Sequence, residues 1–134
     1  MHVTGSCHCG KITFEAEVEV GTVFLCHCTD CQTMTGSAFR ANVQAPAASF
    51  VLRGEPPSIY VKTAASGNRR ANAFCSTCGT PIYSAAPESP ATYSLRVGTI
   101  AQRSELGPPR FQAWCQSALS WSSNLGGIAS LPRQ

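Results

Sequence analysis

Seven of the chain's eight cysteines fall into three tight groups: Cys7-His8-Cys9-Gly10, Cys26-His27-Cys28-Thr29-Asp30-Cys31 and Cys75-Ser76-Thr77-Cys78-Gly79, with Cys115 standing alone. Thiolates one or two residues apart suit a soft-ligand metal, zinc above all. The first and third groups each end in Cys-Gly. A pair of thiolates gripping one ion needs a tight turn, and glycine tolerates the positive φ such a turn demands. The same turn aims backbone N–H groups at the sulfurs and eases their charge. Two such knuckles supply four sulfurs, the usual closed structural set. The spacing therefore predicts one structural Zn²⁺ on Cys7, Cys9, Cys75 and Cys78. Closing so long a loop costs on the order of 4 kcal/mol of chain entropy, which zinc binding offsets.

The middle group differs. It places three sulfurs in six residues with no glycine after the last, and only Cys115 remains to complete it. If Cys115 lies elsewhere, Cys26, Cys28 and Cys31 hold a second zinc with one exchangeable position, the pattern of a catalytic site. Such a zinc takes a substrate thiol, lowers its pKa and presents it as a thiolate. The alternatives are a second closed site completed by Cys115 or a histidine, a thiol-redox cluster, and a disulfide scaffold. His8 and His27 each sit between two ligands and are expected to point away from the metal, His27 as a donor to a ligand; His2 is expected in a flexible terminus. Asp30 reads as a turn residue or as an anchor of the cysteine loop. Phe39, Arg40, Tyr60, Arg69 and Arg70 are candidates to line a pocket for an anionic thiol. Gly36-Ser37 offer either close ligand approach or an ordinary turn, and Trp114 and Trp121 core or rim packing.

The elements that must position these groups are short strands. In residues 12–20 apolar Ile12, Phe14, Ala16, Val18 and Val20 alternate with Thr13, Glu15, Glu17 and Glu19, the period of a half-buried strand. Further strands are predicted at 23–25, 37–43, 50–53, 59–62, 71–74, 82–84, 93–97 and 110–115, separated by Gly, Pro and Ser. That pattern predicts a mainly β domain of small antiparallel sheets. One helical turn is predicted where Thr29-Asp30 precede Cys31-Gln32-Thr33-Met34, ended by Gly36.

The 134 residues fit one domain, 1–134, with residues 122–134 a Gly/Ser-rich tail that is either draped or frayed. An apolar fraction of 43% with 13% charged residues argues for a packed core and against disorder. The net charge of +3 counts the thiols as neutral; seven thiolates on two Zn²⁺ ions bring it to zero. With no basic cluster larger than Arg69-Arg70, nucleic acid is not an expected partner. No apolar run approaches a membrane span, and residues 1–10 lack the pattern of a signal peptide. The expected location is the cytoplasm, and no membrane partner is expected.

Gly5-Ser6-Cys7-His8-Cys9-Gly10, then Cys26-His27-Cys28-x2-Cys31 with Gly36-Ser37, then Phe74-Cys75-x2-Cys78-Gly79, resemble the glutathione-dependent formaldehyde-activating enzyme family. Gly98-Thr99 and Trp121 fit its later pattern, so the resemblance runs from about residue 5 to 121. It implies an Mss4-like, or β-tent, fold stapled by zinc. It implies a structural zinc on Cys7, Cys9, Cys75 and Cys78 and a second, catalytic zinc on Cys26, Cys28 and Cys31. The implied activity is that of a carbon–sulfur lyase resembling S-(hydroxymethyl)glutathione synthase, with glutathione or a similar small thiol and an aldehyde, formaldehyde, as partners. The chain departs from the family at Ile100-Ala101, where Leu-Asp is frequent, and at Trp114-Cys115, where a histidine and aliphatic residues are. The competing reading is a non-enzymatic zinc-stapled β scaffold that binds a protein partner. It predicts a second group that is metal-free or fully closed, and an apolar patch in place of a pocket.

Overall fold

The computed structural model describes residues 1–133. Two sheets carry the chain. The smaller joins β1 (His2–Ser6), β2 (Ile12–Glu17) and β5 (Val51–Gly54) in the order β1-β2-β5, all antiparallel. The larger holds β3 (Phe24–Cys26), β4 (Arg40–Pro46), β6 (Ser58–Thr63), β7 (Arg69–Phe74), β8 (Pro81–Ala85), β9 (Thr92–Arg96) and β10 (Phe111–Ala113). Its order is β10-β3-β4-β9-β8-β7-β6. The one α-helix among the described residues, α1 (Thr29–Thr35), lies between β3 and β4. No helix there is long and apolar enough to cross a membrane.

The core lies where the sheets meet. Ile12, Phe14 and Ala16 of β2 face Val43 and Ala45 of β4 and Leu95 of β9, all nearly inaccessible to water. Phe14, Phe50, Tyr83 and Tyr93 fill the gap between them, with centroid separations from 4.4 to 5.8 Å. Tilted and edge-on rings at this spacing add specific attraction to their burial. The alternation in β2 is thus the physical origin of the inter-sheet core, although pairing stops at Glu17 rather than at residue 20.

Several details depart from the sequence expectation. Residues 2–6 form strand β1, with His2 paired to Glu17 across the sheet, its Nδ1 3.1 Å from the carboxylate; His2 does not stand in a flexible terminus. The larger sheet has seven strands, and its last strand, β10, joins β3 in parallel. Residues 37–39 precede β4 instead of opening it. Residues 119–128 form successive local turns, and the tail over 122–133 is almost wholly exposed.

Gly5 explains how β1 holds so close to β2. It pairs with Phe14, whose ring lies across it, and a Cβ on Gly5 would sit 2.1 Å from that ring. Phe14 is buried against Phe50 and cannot swing away freely. Gly5→Ala is therefore expected to destabilise the fold by about 1–3 kcal/mol, the usual range for overpacking. A shift in the urea midpoint at unchanged slope would report it; an unshifted midpoint would mean the ring relocates without strain.

Candidate functional site

The two cysteine knuckles are brought together as predicted by their glycines. Gly10 and Gly79 have φ of 80° and 76°. Their N–H groups donate to the carbonyls of Cys7 (3.1 Å) and Cys75 (2.8 Å). The four sulfurs of Cys7, Cys9, Cys75 and Cys78 all lie within 4.8 Å of one another. Cys7 and Cys9 are 3.6 Å apart and Cys9 and Cys75 3.7 Å. A tetrahedron of Zn–S bonds near 2.3 Å has sulfurs about 3.8 Å apart, so the donor set fits that ion. All eight cysteines are free. The Ile12 N–H points at Cys7 Sγ (3.4 Å), and Thr80 Oγ1 lies 3.1 Å from Cys78 Sγ. The Thr80 hydroxyl and N–H hold the Cys78 thiol down to about 5. Burial raises Cys7, but the Ile12 N–H and the thiols of Cys9 and Cys75 outweigh it and lower the thiol on balance. The Lys11 N–H lowers Cys9, but burial and the thiols of Cys7, Cys78 and Cys75 outweigh it and push it up to about 11, so a bound cation would be needed to hold all four as thiolates.

The second group also converges. The sulfurs of Cys26, Cys28 and Cys31 lie within 4.8 Å of one another, and the set has three members. Cys115 is not a fourth: it is exposed, and its thiol points to the Gln112 carbonyl at 3.6 Å. Neither histidine joins. His8 is exposed. His27 is buried, with Nε2 2.7 Å from Gln112 Oε1 and its ring against Phe39, so it makes no contact with a ligand sulfur. Cys26 ends β3, and Cys28 is the N-cap of α1, its sulfur accepting the Cys31 N–H at 3.3 Å. The cap is thus a cysteine, not Thr29 or Asp30. Gly36, with φ of 62°, stops the helix, which is the ordinary-turn role for Gly36-Ser37.

Two side chains pin this loop. Asp30 accepts a hydrogen bond from Lys62 of β6 at 2.8 Å, and Gln32 donates to the carbonyls of His27 (2.8 Å) and Ser117 (2.9 Å). Asp30 is therefore an anchor. Burial raises the Cys28 thiol, but the Cys31 N–H, the two neighbouring thiols and Lys62 together lower it. Burial pushes Cys31 up to about 12. Among the three, Cys28 gives up its proton most readily.

The group opens into a cavity of about 410 Å³, at the small end of ligand pockets. Its floor is one face of the larger sheet. β4 contributes Arg40, Asn42 and Gln44, β9 Ser94 and Arg96, β8 Ser84, β7 Arg70 and Asn72, and β6 Lys62. These positions are in register from strand to strand: Cys26 with Arg40, Asn42 with Arg96, Ser94 with Ser84, Ser84 with Asn72, and Arg70 with Lys62. The opposite face of the same strands carries Val43, Ala45 and Leu95 into the core. Arg96 donates to Asn42 Oδ1 and, at 3.2 Å, to Asn72 Oδ1. Burial, and after it the charge of Arg40, pull the Arg96 guanidinium down to about 9.

Of the predicted pocket residues, Arg40 and Arg70 line this cavity and three do not. Phe39 packs on His27, Tyr60 faces solvent, and Arg69 lies 3.7 Å from Glu88 on the surface. Trp114 is on the rim and half exposed, with a left-handed backbone (φ 57°) that a bulky residue adopts only under constraint. Trp121 is also half exposed and lies outside the cavity lining. Lys62, Asn42, Asn72 and Arg96 line the cavity as well, and no local sequence signal marks them as site residues.

A family described as "Glutathione-dependent formaldehyde-activating enzyme" matches residues 2–117. No curated protein matches the chain. Among solved structures, the crystal structure of a Rhodobacter sphaeroides protein is similar with a TM-score of 0.62 at 19% identity. The match covers 82% of this chain and 99% of that one, which establishes a shared fold.

Proposed function

The chain belongs to the glutathione-dependent formaldehyde-activating enzyme family, and from that premise we propose that it is a zinc enzyme that joins a small thiol to an aldehyde, or splits the adduct. The observation that carries this is the set of three converging sulfurs without a fourth protein ligand, opening into a polar cavity. Cys26, Cys28 and Cys31 would hold the catalytic zinc, and Cys7, Cys9, Cys75 and Cys78 the structural one. When bound, the catalytic ion supplies Lewis acidity and stabilises a thiolate at neutral pH.

The reaction forms one bond between the thiol sulfur and the aldehyde carbon, and the thiol proton ends on the carbonyl oxygen. The reverse makes it a carbon–sulfur lyase. Lys62 sits beside Cys28 and favours negative charge there. Asp30 keeps Lys62 in place, and Gln32 fixes the loop to the turn below it. Arg40 and Arg96 add positive potential at the cavity floor, which draws an anionic thiol such as glutathione toward the sulfurs. The scaffold alternative is less well supported, because it calls for an apolar patch in place of a pocket, whereas the three sulfurs open into a polar cavity.

Native mass spectrometry of the zinc-loaded protein, with and without glutathione, tests this. Two zinc ions per chain and a glutathione adduct are the expected result. One zinc and no adduct would sink the enzymatic reading and favour the scaffold.

A further inference from the structure

The cavity floor is costly to build. Arg40 and Arg96 are each only 6% exposed, and the Nε of each has no hydrogen-bond partner. Arg70 and Lys62 line the same space, and no lining residue is acidic. Buried cations without counter-charges are strongly unfavourable. A fold that buries two of them, with the part-buried Arg70 and Lys62 on the same register-matched face, is incomplete without an anion. The nearest carboxylate, Asp30, is committed to Lys62. A trithiolate zinc carries one net negative charge, so Asp30 and that group together leave two positive charges unbalanced.

Formaldehyde is neutral and does not meet this need, and a thiolate alone answers half of it. We infer that Arg96 and Arg40 form a carboxylate-binding subsite, so that the cysteine group acts on a compact ligand in which a carboxylate lies a few bonds from the reacting sulfur or carbon. Asn42 and Asn72 accept from Arg96 and fix its plane, and the Nε of both arginines is left without a partner. A planar fork held by two amides suits bidentate recognition of a carboxylate. The small cavity sets the reach, and Trp114 at the rim supplies a flat apolar wall.

This deepens the proposed function and rests on it for the reacting sulfur alone. The test separates the two. The zinc-loaded protein is titrated by calorimetry with 3-mercaptopropionate, with its neutral amide 3-mercaptopropionamide, and with glyoxylate. The acid is expected to bind at least about tenfold more tightly than the amide, as a charge-assisted hydrogen bond implies. Arg96→Met should abolish that ratio; Arg40→Met is the second variant should the first not fold. Cys28→Ser should weaken acid and amide alike while keeping their ratio. A kept ratio with no effect of Cys28→Ser would retain the subsite and sink the thiol chemistry. Tighter binding of glyoxylate than of the thiol acid, lost in Arg96→Met, would support the subsite and assign it to the electrophile's carboxylate. Equal binding of acid and amide, or a ratio unmoved in both arginine variants, overturns the inference.

Discussion

Cys75→Ser is expected to leave the chain without a cooperative thermal transition, or to lower its Tm by more than about 15 °C. Cys75 is 1% exposed and packs in the core beside Cys7. Its N–H donates to the Thr80 carbonyl at 2.9 Å, so the knuckle is already part of the β7–β8 turn. The four sulfurs bring the loop between β1 and β2 against that turn, so an ion held by them would fasten the small sheet to the large one. Structural zinc contributes roughly 10–16 kcal/mol of apparent binding energy, while a whole domain is stable by only about 5–15 kcal/mol. Even partial loss of the proposed ion would consume the margin. The substituted hydroxyl also leaves a polar atom in an apolar pocket. Circular dichroism melts and zinc content, measured on the same sample, check this. A variant that melts within a few degrees of the parent while lacking one zinc would show that the β core alone suffices.

The pairing of these two knuckles was legible because the constraint is local. A tight turn around a thiolate pair needs glycine, and Gly10 and Gly79 announce it with no knowledge of the rest of the chain. The helix stop at Gly36 was legible for the same reason. Strand β1 was not, since Gly5 interrupts its pattern; what holds it is the Phe14 ring across the sheet, a partner that residues 2–6 do not reveal. The cavity floor was hidden for a deeper reason. Arg40, Asn42 and Gln44 alternate with Ala41, Val43 and Ala45, which reads as a strand with one face in water. A period of two says which residues share a face, not what that face meets. Here it meets the cysteine loop, and the polar face of five adjacent strands becomes the inside of a site. Asn72 and Arg96 belong to it only through register with β8 and β4. Arg69, by contrast, points the other way to Glu88 although it adjoins Arg70.

Cys28→Ser is expected to do the reverse of Cys75→Ser: to keep the fold and lose the chemistry. The Cys28 sulfur caps α1 by accepting the Cys31 N–H. A serine hydroxyl is among the best groups for that role, so the helix keeps its start. The flanking anchors, Asp30 to Lys62 and Gln32 to His27 and Ser117, do not involve the sulfur. A Tm within a few degrees of the parent follows. The metal set, however, drops from three thiolates to two. Merely disturbing the groups that orient a metal ligand costs about 10–100-fold in affinity or activity, so losing the ligand should cost at least about a hundredfold in thiol turnover. It should also reduce zinc from two ions per chain to one. The three readouts must move together in that pattern: melting unchanged, one zinc lost, turnover lost. Turnover kept with one zinc would move the reaction away from this group, even though the other cluster already has a full set of four sulfurs. Turnover lost along with the melt would mean that the loop, and not the ion, is what Cys28 sustains.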